Sequence, residues 1–590
     1  MHRISLIAFI AALFPTTATA QWTPNGAPLT LAPQNQNQPI AVSDGGGGAY
    51  VAWIDTRNGN PDVYVQRVTA AGTIAPGWPD DGLAVCTHNA TQSDLAIGSD
   101  GFGAVLAWAD TRNGLLDIYA MRVQPGGSVD PGWTVNGNHV CNVAQNQSAP
   151  TVVGDGSGGA FIVWTDGRGA TEDLYGVRLL TAGTLDPNWT ANGSLLCNAA
   201  RAQYAPVGVP DGAGGVYLAW IDGRAGTTFV ADRDVYAMRF TATGALVAGW
   251  QPNGTAVAVH ATTDQDTPVL CPDGVGGVLF AWQDGRSGTR ALPAWDIYAS
   301  RLLGDGTLAP GWTANGTPAC TAAELQISPV ITNDGSGGAI VAWQDGRDTS
   351  TFPTNTDIYA QHILPGGALA PGWPTTGLDL SPAQYRQDDP TIVSDQAGGA
   401  IVAWEDGRGS GGIHATRVSG SGTIVPPWPA AGLELCDAPD VQIDPSAVPD
   451  EAGGVIVAWT DPRNGGGNYD VFAQRVTGSG SIGPTVGVPG GPGSPGVAGV
   501  RLALAGRHPA TGVAAFDVAL PRETDAQAHV VNPAGRQVAV LWSGENRTEG
   551  VHRLVWNGRD DRGRRATAGV YWLRVVSPAG GASLRFVYLP

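Results

Sequence analysis

The 590-residue chain contains no lysine, so all 32 of its cationic side chains are arginine. That excludes a Schiff-base nucleophile. Charged residues make up only 14% of the chain and leave a net charge of −19. Nucleic acid drops out as a partner, because binding phosphates requires a basic face. Past the N-terminus, no apolar run is long enough to cross a bilayer as a helix, so no transmembrane segment is expected. The nine histidines fall in no metal-ligand spacing, and neither H-E-x-x-H nor a nucleophile elbow occurs. Runs of helix formers are also scarce. What is abundant is glycine (85) and proline (43), a balance that suits many short strands joined by tight turns.

Residues 1–20 read as a secretory signal peptide. His2 and Arg3 precede an apolar core from Ile4 to Phe14, and Ala18-Thr19-Ala20 is a small-residue cleavage site. The expectation is a secreted or surface-displayed chain. Six cysteines in such a chain would suggest disulfides. Five of them (Cys86, Cys141, Cys197, Cys320 and Cys436) recur four residues after a glycine, in a slot that other units fill with Thr30, Ala258 or Ser381. A slot shared by Cys, Thr, Ala and Ser is a small buried position, so free structural thiols are expected.

An internal repeat organises residues 21–482. Tryptophan recurs at Trp53, Trp108, Trp164, Trp220, Trp282, Trp343, Trp404 and Trp459, at intervals of 55, 56, 56, 62, 61, 61 and 55. Each copy reads roughly D-G-x-G-G, an alternating run ending A-W-x-D-x-R, then "DIYAxR", then "PGW..NG". Turn glycines between alternating β-branched and aromatic runs mark antiparallel hairpins. Four strands per unit, repeated, predict an all-β, eight-bladed β-propeller. The "W..NG" strand also occurs eight times, but its first copy, at Trp22, precedes the first A-W-x-D-x-R copy. The N-terminal strand is therefore expected to close the last blade and remove the open sheet edges.

Residues 483–499 form a Gly/Pro linker, and residues 500–590 carry alternating strands suited to a small Ig-like β-sandwich. Gly535-Arg536, Trp556-Asn557-Gly558, Asp560, Gly563 and Gly569-Val570-Tyr571 carry a resemblance to the Ig-like domain of flagellar hook-capping proteins and to type IX secretion system sorting domains. The resemblance implies an export or anchoring role, with export machinery as a partner. It departs from the family at the end, where "SLRFVYLP" holds only Arg585 in place of a basic patch. The propeller units are loosely similar to sialidase-like propellers but lack the Ser-x-Asp-x-Gly-x-Thr-Trp order.

Taken singly, Trp53, Asp55 and Arg57 look like a site. Recurring as Trp108, Asp110 and Arg112, as Trp164, Asp166 and Arg168, and on through all eight units, they read as structural pins. A bidentate Arg–carboxylate pair would fasten the loop between the second and third strands. Calcium at Asp44, Asp155, Asp273 and Asp334 is the one cofactor considered; a five-residue turn with one carboxylate offers too few ligands, so none is expected. Function is sought where units differ. From the motif Arg to the next strand's Asp the spacing is 5 in units one to three and 10 in units four to six. The three longer loops carry Phe229, Asp232, Arg233, Arg290, Trp295 and Phe352, suited to recognition or to neutral drift. Unit seven is irregular as well, with Gly412 and His414 in place of Asp and Tyr. With no catalytic constellation in view, the expectation is a non-enzymatic protein binding a glycan, surface polymer or protein. The alternative is a sialidase-like glycoside hydrolase or lyase acting at the propeller mouth. A non-repeating cluster of Asp, Glu, Tyr or Arg at the central pore would separate the two.

Overall fold

The computed structural model describes residues 22–482, apart from 227–231, 262, 289–293, 348–354, 410 and 466, and residues 501–589, apart from 505–509, 521–522, 533–536, 549 and 578–579. The expected signal peptide and the 483–499 linker lie outside the described residues. The chain divides between residues 486 and 487 into two compact units. Both are built from strands alone, and no helix long and apolar enough to cross a membrane occurs among the described residues.

In the first unit each sequence repeat becomes an antiparallel sheet of four principal strands, arranged in a propeller-like manner. Repeat one supplies Gln36–Ser43, Ala49–Asp55, Asp62–Val68 and Leu83–Cys86, in that order across the sheet. The second strand is buried along its whole length, which is why it reads as an apolar run with little alternation. Its register sets Trp53 opposite Tyr64 and Asp55 opposite Asp62, while Gln36 faces Asp55 from the other side. The last sheet takes its fourth strand from the chain's start: Ala27–Thr30 pairs with Asp470–Val476, with Ala27 opposite Ala473. The first strand of every sheet packs against the first strands of both neighbouring sheets, and this holds between the last repeat and the first. First strands therefore line the middle of the ring.

Two sets of tryptophans hold the ring together. Trp53 and its seven equivalents are fully buried. The other set ties one sheet to the next: Trp78 Nε1 donates to Pro125 O at 2.9 Å, and Trp133 Nε1 to Thr181 O at 3.0 Å. Each first strand also carries an irregularity at its mouth end, with a positive-φ residue at Gln38, Asp94, Ala149, Ala205, Thr267, Ser328, Asp389 and Asp444. Such bulges re-aim side chains beside a cavity. The six cysteines are unpaired. Cys86 Sγ of repeat one lies 3.2 Å from Arg112 Nη2 of repeat two, and burial pushes its thiol up to about 11.

The second unit has a three-stranded sheet (Arg501–Leu504, Ala514–Leu520, Gly550–Trp556) and a five-stranded one that includes Thr524–Val531, Gln537–Arg547, Gly569–Ser577 and Gly580–Leu589. Phe516 and Trp556 from the first sheet meet Phe586 and Tyr588 from the second in one aromatic core.

Candidate functional site at the mouth of the ring

The repeated polar residues are committed to one another. Asp166 is fully buried; it accepts from Trp164 Nε1 at 2.8 Å, from Arg168 N at 2.9 Å, and from Arg168 Nε and Nη2 at 2.8 and 2.6 Å. Asp55 with Trp53 and Arg57, and Asp110 with Trp108 and Arg112, repeat the arrangement. The bidentate partner of the arginine is thus the aspartate two residues before it, not the one that opens the third strand. Asp62 instead accepts from Asn58 and Asn60. The guanidinium reaches further: Arg168 Nη2 donates to Asn192 O before the fourth strand and lies over the Tyr175 ring. The turn aspartates are occupied too. Asp155 accepts from Ser157 N and Gly159 N and pairs with Arg178 at 2.7 Å. Asp44, Asp273 and Asp334 sit in the same way, paired with Arg67, Arg301 and His362. Among the described residues no group of three or more His, Cys, Asp or Glu is placed to hold a metal ion.

Of the residues expected in the long loops, Phe229, Arg290 and Phe352 lie outside the described residues. Asp232 is buried rather than presented to solvent. Trp295 is half-buried, its carbonyl accepting from Gln326 N at 2.8 Å. Arg233 is ion-paired with Asp264 at 2.8 Å and with Asp266, beside Tyr204.

What distinguishes the units at the mouth is the residue between the motif Trp and Asp. It is Ile54, Ala109, Thr165, Ile221, Gln283, Gln344, Glu405 and Thr460 in turn. In units three, five, six and seven it reaches the first strand of the following unit, whereas Thr460 donates to Asp444 in the first strand of its own. Thr165 accepts from Ala205 N at 3.2 Å, and Gln283 accepts from Ser328 N at 3.3 Å. Gln344 donates to Asp388, and Glu405 accepts from Asp444 N at 2.8 Å. Glu405 is the only acidic member of the series. It lies opposite Asp388 across the strand pair. Asp388 is buried and accepts from Thr356 Oγ1 at 2.6 Å while ion-paired to Arg386. Asp389 is exposed, on the positive-φ bulge next in sequence.

Burial pushes the Glu405 carboxyl up to about 7; the Asp444 amide and Arg386 oppose the rise, and the charges of Asp389 and Asp444 add to it. Burial raises Asp444 as well, again with help from Asp389. None of these carboxylates belongs to the repeat motif. A pocket of about 130 Å³ opens here, lined by Arg386, Asp388, Glu405, Asp406, Gly407, Val441 and Gln442.

Unit seven makes room for it by deletion. Arg408 to Gly412 is a spacing of 4, the shortest in the chain, and Gly412 and His414 replace the aspartate and aromatic residue that the other units carry. His414 lies buried on Trp404, with Nδ1 making no hydrogen bond and 3.9 Å from Asp406 Oδ2; burial lowers it to about 4 against the pull of the Asp406 charge. The irregularity of unit seven at Gly412 and His414 shows in the sequence; Glu405, the single Glu in the Trp-x-Asp slot, is the further signal beside it.

No family model and no characterised protein matches the sequence. Among solved structures, an ulvan lyase bound to -[GlcA(1-4)Rha3S]- is similar over 68% of this chain and 96% of its own, at 13% identity and a TM-score of 0.42. An oligogalacturonate lyase from Vibrio parahaemolyticus is similar over 68% of this chain and 94% of its own (12% identity, TM-score 0.33). A thermostable family-43 glycoside hydrolase is similar over 52% of this chain and 98% of its own (12% identity, TM-score 0.28). The expectation of a non-enzymatic binding protein is corrected accordingly. These three bear the names of polysaccharide-cleaving enzymes, and the pocket beside Glu405 gathers carboxylates that lie outside the repeat motif.

Proposed function

We propose that the chain is a glycan-cleaving enzyme built on an eight-bladed propeller, and that it hydrolyses a glycosidic bond at the ring mouth with Glu405 as general acid. The observation that carries this is a glutamate raised to about 7 in a pocket shared with other carboxylates. Neighbouring carboxylates with environments that push them apart divide acid from base roles. Glu405 protonates the leaving glycosidic oxygen as its bond to the anomeric carbon breaks. Asp389, the exposed carboxylate beside it, takes the proton of the water that adds there. Elimination is less well supported. It requires a base to remove a sugar C–H proton and a free cation to neutralise a carboxylate, whereas burial raises Tyr204 and Arg233 is already paired with two aspartates.

The eight sheets serve as a scaffold for this mouth, and the second unit is an Ig-like module for sorting or anchoring an exported chain. Its support is the sequence resemblance together with two sheets packed on one core. The test is Glu405→Gln, which keeps shape and removes the proton. Release of reducing ends from a panel of neutral, amino-sugar and uronic polysaccharides should fall by about 100-fold or more. In the parent protein the rate should decline as pH rises through about 7, where Glu405 ionises. Undiminished turnover in the variant overturns the assignment.

A further inference from the structure

The end of the ring away from the mouth carries a second repeated set of charges. In every unit the turn aspartate pairs with a cation on the third strand. In most units that cation and a tryptophan converge on one carbonyl of the following unit. Arg301 pairs with Asp273 and donates to Pro365 O, which also accepts from Trp312 Nε1. Arg417 pairs with Asp395 and donates to Gly478 O, which also accepts from Trp428 Nε1. Each such cation ties its own unit to the next. Seven units hold arginine at this position; unit six, between the two just described, holds His362.

His362 makes both contacts with one ring. Nε2 lies 3.1 Å from Asp334 Oδ2, and Nδ1 lies 2.9 Å from Gly420 O in unit seven, which also accepts from Trp373 Nε1 at 3.0 Å. A carboxylate and a carbonyl only accept, so satisfying both takes a proton on each ring nitrogen, which is the imidazolium. A neutral ring has one N–H and turns a lone pair on the other acceptor. The His362 and Asp334 side chains are 6% and 4% exposed, so little water is at hand to replace the lost donor.

The charges around this pair are already compensated. From unit five, Asp273 is held by Arg301, whose guanidinium lies against Gly337 in the Asp334 turn. From unit seven, Asp395 is held by Arg417. Cys271, within reach of the Asp273 and Asp334 charges, is pushed up by burial and stays a thiol. Burial pushes the Asp334 carboxyl up as well, but His362 and the amides of Ser336 and Gly338 hold it well below its ordinary value. Arginine keeps its proton at any physiological pH, so of the eight cations only His362 titrates near neutrality.

We infer that His362 is a pH-sensitive lock between units six and seven, closed by the imidazolium and loosened when the ring gives up a proton. The lock stands apart from the proposed cleavage, although the Gln344–Asp388 tie crosses the same joint at the mouth. A histidine cation held by acceptors in the fold contributes its full stability below about 6.5, the ordinary imidazole value, and that contribution is lost as pH rises and the proton leaves.

Denaturant unfolding of the full chain from about pH 5.5 to 8.5 tests it, with His362→Arg and His362→Gln beside the parent. His362→Arg installs the cation of the other units. The unfolding equilibrium constant of the parent relative to this variant should rise about tenfold or more across that range. His362→Gln keeps a donor but no charge, so it should lose the parent's gain in mild acid and fall level with it at high pH. Comparison with the parent cancels Glu405 and Asp234, whose carboxyls burial raises to about 7 in all three proteins. A ratio of parent to His362→Arg that does not grow with pH, or a His362→Gln protein that keeps the parent's full response, overturns the lock.

Discussion

Asp110 shows how one side chain can hold a unit. Fully buried, it accepts from Trp108, Gln92 and Arg112, the last a side chain only 12% exposed. Removing one member of a buried ion pair strands the other in a poor solvent, so Asp110→Asn should cost about 3–5 kcal/mol, read as a lower denaturant midpoint. Burial pushes the Asp110 carboxyl up, but the hydrogen bonds and charge of Arg112 win and hold it below its ordinary value. A depressed carboxylate stabilises fully above its unfolded value of about 4 and loses that contribution as pH falls through the lower folded value. Asp110 should therefore contribute less to the parent protein's stability as pH falls below about 4, and Asp110→Asn should flatten that part of the curve. Measuring the denaturant midpoint across that range for both proteins checks the sign.

At the scale of the strand and turn, the repeat was legible because its physics leaves marks in sequence. A turn ending in glycine brings the fourth strand in under the motif tryptophan: Gly82, after Asp81, has φ +86, and a Cβ there would sit 2.5 Å from Trp53 Cη2. Gly82→Ala should destabilise by at least about 1 kcal/mol, visible as a lower melting temperature, because neither the φ nor the ring can accommodate the methyl. The free-thiol slot was legible for a related reason, since Cys, Thr, Ala and Ser alternate where the following unit's arginine leaves little space. The pocket was not legible. The longer loops of units four to six are visible as insertions and unit seven's Gly412 and His414 as substitutions, but neither pattern announces a cavity beside Glu405. Glu405 stood inside an otherwise constant motif, and nothing in the local pattern reveals that its carboxyl reaches into the following unit to meet Asp444. That proximity is tertiary. The carboxylate partner of each motif arginine was likewise a choice between two aspartates in the same copy, which only side-chain geometry resolved.

Across the whole first unit, the joint between the two ends of the ring is one short strand. Leu29 in it is fully buried, and Leu29→Ala should cost about 2–5 kcal/mol. If the sheets form one closed cooperative body, that loss lowers the melting of the entire ring in a single transition; separate early melting of the last unit would show that the joint contributes little elsewhere. The same joint governs the order in which the molecule can be finished. Ala27 pairs with Ala473, so a strand made among the first residues waits for a partner made among the last of the ring. At about 5–20 residues per second the wait is on the order of 20–90 s, during which the nascent chain carries a strand with no edge to join and a growing stack of sheets with an open end. The protein is thus most exposed to aggregation or swapping with a sister chain not while any unit folds, but in the interval before its beginning meets its end.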